Sequence, residues 1–259
     1  MKKLMILVAA LVVLIPSLAY SDMLSFRLGY YMPSILNNNN YLSHPNSLWG
    51  TELSQMNFLP DDFRAATMGG GYEFFLTPQL SVALSVDFFN RENGGFYKDY
   101  VANTVDNVDY AFPFNDFTGR DILHVFHVSM TPVQLSFKIA PLGRKTRIIP
   151  YVGGGGGAYF VSASIYGSII DFSQPFIYTD PVLGDVTVYQ VSLANLHETR
   201  VVLGGHAFAG LMFPIGYRLT IEGEARYHFA KVRFQHAFQD FETFDMSGLS
   251  ISVGLNYWF

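Results

Sequence analysis

The chain has 259 residues, a formal net charge of −5 and no cysteine; 50% of it is hydrophobic, 16% aromatic and only 14% charged. That much apolar and aromatic content excludes a disordered chain, and the missing cysteine excludes a disulfide-stapled domain. The acidic balance argues against nucleic acid, whose phosphates need clustered Lys and Arg. Beyond residue 21 no unbroken apolar segment approaches the ~18 residues of a membrane helix, so the apolar residues are scattered rather than run together.

In chain order, Lys2 and Lys3 precede an apolar run over 4–15 that ends at Pro16. Ser17-Leu18-Ala19 and Ala19-Tyr20-Ser21 both place small residues at the −3 and −1 positions of a cleavage site. Residues 1–21 therefore read as an export signal cleaved after Ala19 or Ser21, and 22–259 as one domain.

The rest of the chain alternates. Leu24, Phe26, Leu28 and Tyr30 alternate with Ser25, Arg27 and Gly29. Met68, Tyr72 and Phe74 alternate with Gly69, Gly71 and Glu73, and Leu80, Val82, Leu84, Val86 and Phe88 with Ser81, Ala83, Ser85 and Asp87. The same period of two runs through Val133 to Ile139, more weakly through the five glycines 153–157 to Ile165, and then through Val201 to Phe213, Leu219 to Phe229 and Leu249 to Phe259. A period of two puts one apolar face on each strand. It predicts eight strands near 23–32, 64–76, 79–91, 120–140, 149–166, 200–214, 217–232 and 248–259.

The predicted connections alternate between long (33–62, 92–121, 167–199, 233–247) and short, the loop asymmetry of outer-membrane barrels. The expected fold is all-β: an eight-stranded antiparallel up-and-down transmembrane β-barrel with long extracellular loops and short periplasmic turns. Arg27, Glu73, Asp87, Lys138, Glu222, Glu224 and Arg226 share the less apolar face, with His206 and His228. Charges facing lipid at the bilayer midplane cost about 2–4 kcal/mol each, the upper end for Arg and Lys, so this face is expected to line the lumen as an ion-pair network. An eight-stranded barrel has room inside only for its own side chains, so a plugged lumen is expected. A soluble barrel would carry the same alternation inside out.

Three segments resemble the small outer-membrane β-barrel family of Gram-negative bacteria, the OmpA-transmembrane-like, porin-family barrels. These are LSISVGLNYWF over 249–259, PYVGGGGGAYF over 150–160 and IEGEARYHF over 221–229. The resemblance implies an outer-membrane location with periplasmic termini. It also implies that Val253, Leu255, Tyr257 and Phe259 form the signal read by the barrel-assembly machinery, with periplasmic chaperones as partners in transit. It implies no particular activity, because the fold serves many.

The four long connections hold 16 of the 21 acidic residues and only Lys98, Arg120 and Arg233 as basic ones. Arg64, Arg91, Arg120, Arg200, Lys231 and Arg233 fall where strands meet those connections and form a candidate collar for lipopolysaccharide phosphates, or else balance nearby acids. Asp106 with Asp109, and Asp240 with Glu242 and Asp245, match no calcium-loop spacing, so no metal or cofactor is expected. Phe112, Phe114, Phe117, Phe172, Phe176, Tyr178 and Tyr189 suit partner contact or packing over the barrel mouth. The run 186–193 alternates and extends a hairpin.

His127 and Ser129, two apart on one strand face, resemble the His-x-Ser step of outer-membrane lipid A deacylases. No Asn follows Ser129, and Pro132 predicts a bulge that leaves the facing of His127 open. Ala230 stands where the Glu224-x-Arg226-x-His228 row would need a serine. The expectation is a monomeric, non-enzymatic barrel with a surface-interaction or envelope role through its acidic, aromatic loops. A narrow channel for small or apolar solutes is the first alternative and a lipid-modifying enzyme the second.

Overall fold

The computed structural model describes residues 22–34, 57–58, 60–143, 146–238 and 243–259. The export-signal segment, Asp240 and Glu242 lie outside the described residues. The strands are β1 (Asp22–Pro33), β2 (Ala65–Phe75), β3 (Leu80–Val105), β4 (Val108–Pro113), β5 (Arg120–Ile139), β6 (Ile149–Asp180), β7 (Gly184–Pro214), β8 (Leu219–Phe229), β9 (Lys231–Val232), β10 (Phe244–Asp245) and β11 (Gly248–Trp258).

Eight of them close a ring in the order β1-β2-β3-β5-β6-β7-β8-β11, with every pair antiparallel and β11 returning to β1. This is the eight-stranded barrel expected from the alternation. A closed ring leaves no strand edge of the barrel unpaired, which a bilayer demands because lipid offers no hydrogen bonds.

The outward positions carry Leu24, Phe26, Leu28, Leu84, Phe88, Leu135, Phe137, Leu203 and Ile251, all exposed. The inward positions carry Arg27, Glu73, Lys138, Glu222, Glu224 and Arg226, all buried. The distribution is inside-out relative to a soluble barrel. Both ends of the described chain lie at the short-turn end, where Met23 pairs with Trp258 and Phe75 packs on Trp258 at 5.0 Å between ring centroids.

Two expected loops prove to be largely strand. Residues 92–105 continue β3, and 167–180 and 184–199 continue β6 and β7. Lipid-facing alternation stops at the membrane, but the ladder does not need it. Beyond the bilayer the hydrogen bonds of a paired hairpin hold polar segments such as Arg91-Glu92-Asn93-Gly94-Gly95 as strand. β3 and β4 join through Asp106 and Asn107, both at positive φ (51° and 66°), as a two-residue hairpin turn requires. β4 then pairs with β7 through Tyr110↔Gln190 and Ala111↔Tyr189. The pairings β3-β4-β7-β6-β5 thereby close a second, five-stranded ring on the long-connection side.

The interior has three layers. Next to the short turns it is apolar, with Met23, Phe75, Ile149, Met212 and Trp258 packed together. The middle layer is polar. Towards the long connections it is aromatic, with Tyr31, Phe63, Phe89, Tyr97, Phe126, Tyr159, Phe234, Phe238 and Phe244 in one buried cluster. Where β6 passes β5, Gly155 lets the backbones close up: a Cβ there would lie 2.0 Å from the Leu135 carbonyl oxygen.

Candidate functional site

The lumenal charges come from β1, β2, β3, β5 and β8, each set facing inward by strand alternation. Arg27 Nη2 donates to both Asp87 oxygens at 3.0 and 3.2 Å. Arg226 donates to Glu224 Oε1 from Nε at 2.9 Å, lies 3.7 Å from Asp87, and donates from Nη1 to Gln134 Oε1 at 2.7 Å. Lys138 Nζ meets Glu73 at 2.8 Å and Glu222 at 3.7 Å. The Tyr151 hydroxyl donates to Glu222 and, at 3.1 Å, to Glu224; Asn256 donates to Glu222 at 2.6 Å. His206 meets the Ser136 hydroxyl at 2.8 Å, and Gln134 meets His228 at 3.2 Å. All nine residues read from the sequence as lumenal therefore point inward and touch polar partners. Gln134, Tyr151 and Asn256 complete the network, and sequence reading missed them because uncharged residues do not stand out on a strand face. The cavities left in this layer hold about 20 Å³ each, room for single waters.

Above the charges, chain from the first and last long connections folds into the barrel. Phe58 and Phe63 enter from one side, and Phe234, Phe238, Phe244 and Met246 from the other. The inserted backbone is held by Glu198, whose carboxylate accepts the N–H groups of Gln235 (2.8 Å), His236 (2.9 Å) and Phe238 (3.5 Å) and the Nε of Arg200 (2.7 Å). Glu198 stands beyond the aliphatic band. Burial alone would raise its pKa, but these donors hold it at about 2, so the plug's anchor is a carboxylate at any ordinary pH. Beside the plug, the His124 ring is buried against Phe58 and Tyr97, and desolvation lowers its pKa to about 4.

At the far end of the hairpins lies an open cleft of about 530 Å³. Phe112, Phe117, Tyr178, Leu183, Asp116 and Asp180 line it. Of the aromatics singled out in the sequence, Phe112 is buried with Val101 and Val188, Phe172 packs on Tyr100 and Tyr189, and Phe114 and Phe176 are exposed. Strand β4 and the outer parts of β3 and β6, which sequence reading left as loop, bring this set together.

Four of the six collar residues meet carboxylates: Arg64 with Asp61, Arg120 with Asp109, Arg200 with Glu198 and Lys231 with Asp245. Arg91 donates to the Asp62 carbonyl, and Arg233 is exposed. The assembly-signal residues Val253, Leu255, Tyr257 and Phe259 all lie on the outward face of the closing strand. Pro132 causes no register shift in β5, so no bulge forms there and the alternation runs on to His127. His127 and Ser129 face outward. The partners of His127 are Asn90 on β3 and Ser164 on β6, not Ser129.

No family model matches this chain, and no curated protein does. Solved structures do. The N-terminal β-barrel domain of OprF from Pseudomonas aeruginosa is 12% identical, with 92% of this chain and 97% of that one covered and a TM-score of 0.39. The outer membrane protein OprG from the same organism is 10% identical over 93% and 97%, with a TM-score of 0.46. Ail, the attachment invasion locus protein of Yersinia pestis, solved with a heparin analogue, is 12% identical over 92% and 99%, with a TM-score of 0.40. The assignment of an eight-stranded barrel rests on the strand pairings of this chain itself.

Proposed function

We propose that the protein is an integral outer-membrane barrel that acts by binding a partner at its extracellular hairpins. The observation that carries this reading is the cleft of about 530 Å³ on a barrel whose lumen is filled. Aromatic rings supply contact area at low entropic cost. Asp116 and Asp180 are the charges in the lining, and among the described residues no basic one lines it. The matching partner is cationic and carries apolar side chains. On this reading the chain inserts as a monomer with periplasmic termini, after handling by chaperones and the assembly machinery. Most of its collar cations balance neighbouring acids, which leaves Arg91 and Arg233 as the contacts for lipopolysaccharide.

The test uses lipid vesicles bearing the intact barrel and a fluorescent Lys- and Leu-rich peptide. Binding that weakens at least threefold in Asp116→Asn/Asp180→Asn, and more in Tyr178→Ala, supports the reading. Equal binding by a barrel with residues 175–189 replaced by a short turn overturns it.

A further inference from the structure

The outward face changes character at one level. On β3, β5, β6 and β7 the apolar positions Phe88, Val133, Phe160 and Val201 give way to Asn90 and Glu92, Thr131, Ser129 and His127, Ser162 and Ser164, and Thr199 and His197. A tilted strand crosses the hydrocarbon in about 9–11 residues. Counted from Leu80, Ile139 and Ile149 at the short-turn end, that length reaches Asn90, Ser129 and Tyr159. His127 and Ser164 therefore stand just outside the hydrocarbon, at the depth of lipid ester carbonyls and headgroups.

At this depth three side chains from three strands are in line. The Asn90 Oδ1 lies 2.6 Å from His127 Nε2, and His127 Nδ1 lies 3.5 Å from the Ser164 hydroxyl. The amide oxygen can only accept, so it holds the ring proton on Nε2 and leaves the Nδ1 lone pair facing Ser164. This is the order orienter, base, nucleophile; the long second contact is what an enzyme without substrate shows before the Michaelis complex tightens it. Glu92, opposite His127 in register, accepts the Tyr166 hydroxyl. Ser129, paired with Ser162, is the diagonal neighbour of Ser164 on the same face.

We propose that Asn90, His127 and Ser164 form an acyl-transfer site that hydrolyses ester-linked acyl chains of outer-leaflet lipids. The Ser164 oxygen attacks the ester carbonyl carbon while its proton passes to His127 Nδ1. The carbon–alkoxy bond breaks, the departing oxygen takes that proton, and an acyl ester on Ser164 remains. Water then attacks, again giving a proton to His127, which returns it to Ser164 as the free fatty acid leaves. Ser164 and His127 are the catalytic residues and Asn90 positions the base. On this proposal the nucleophile is Ser164, whereas the sequence offered Ser129 as the candidate.

The full-length barrel in detergent–lipid micelles is treated with an alkyl fluorophosphonate and mapped by mass spectrometry. Adduct is expected on Ser164, reduced at least a hundredfold in His127→Ala and still on Ser164 in Ser129→Ala. Fatty-acid release from phosphatidylethanolamine vesicles and from lipopolysaccharide, measured separately, identifies which lipid supplies the ester. Asn90→Ala should lower turnover about tenfold and move its acid limb, with Asn90→Asp restoring it. Adduct on Ser129, or neither adduct on Ser164 nor release from either lipid by a barrel whose gel mobility shows it folded, overturns the proposal.

Discussion

Among single residues, the charges inside the barrel are the most consequential, because each is buried against a partner on another strand. Lys138 sits between Glu73 and Glu222 and lies 4.1 Å from the centroid of the Tyr151 ring. Lys138→Met leaves two carboxylates without their cation and should destabilise the barrel by about 3–5 kcal/mol, read as a lower urea midpoint in lipid vesicles. An unchanged midpoint would mean that water already screens the pair. His124 gives a pH-dependent case. Its folded-state pKa of about 4 lies below the ordinary 6.5, so both folded and unfolded forms are neutral at pH 7. As the pH falls from 6.5 to about 4 the unfolded state binds a proton that the folded state refuses. Stability then drops by at most about 1.4 kcal/mol per pH unit, and levels off below pH 4. His124→Phe should flatten that part of the stability–pH curve; an identical slope in both proteins would contradict the burial assignment. His127 shows the limit of reading residues one strand at a time. Its partners stand 37 positions away on either side, and cross-strand register, which sequence spacing does not reveal, brings them together.

At the level of elements, alternation located the membrane-spanning part of all eight barrel strands, because lipid on one side and polar side chains on the other impose a period of two. Above the membrane it caught only the run 186–193, which lies in β7. There the outer halves of β3, β6 and β7 face water or the plug, and pairing alone makes them strands. It also missed the aromatic layer, since Ile122, Phe126, Val128 and Met130 point inward where the spanning part of β5 points Gln134, Ser136 and Lys138 inward. The glycine run stood in the sequence only as a weak stretch of the alternation, and the structure shows it to be a site of close approach. Gly155→Val would force β6 from β5 at the Leu135 carbonyl, and should lower the temperature at which the folded band disappears on unboiled SDS gels. Full retention of wild-type heat resistance would show that the ladder shifts to accommodate the side chain.

For the whole molecule, the half-apolar composition, the missing membrane helix and the small net charge have one explanation. Apolar residues coat the outside of a closed barrel, a near-balanced set of charges fills its middle, a small apolar cluster closes the short-turn end, and aromatic rings from the strands and inserted connections fill the other. On the functions proposed above, activity belongs to the outer surfaces: the hairpin cleft and the polar belt at headgroup depth. Single-channel recording of the intact protein in a planar bilayer tests that division most directly. With the lumen sealed by Arg27–Asp87, Arg226–Glu224, Lys138–Glu73 and the aromatic plug above them, the expected trace shows no unitary current above the bare bilayer. Stable, stepwise conductance from barrels that also show the folded band on unboiled gels would contradict it and make the lumen a pathway.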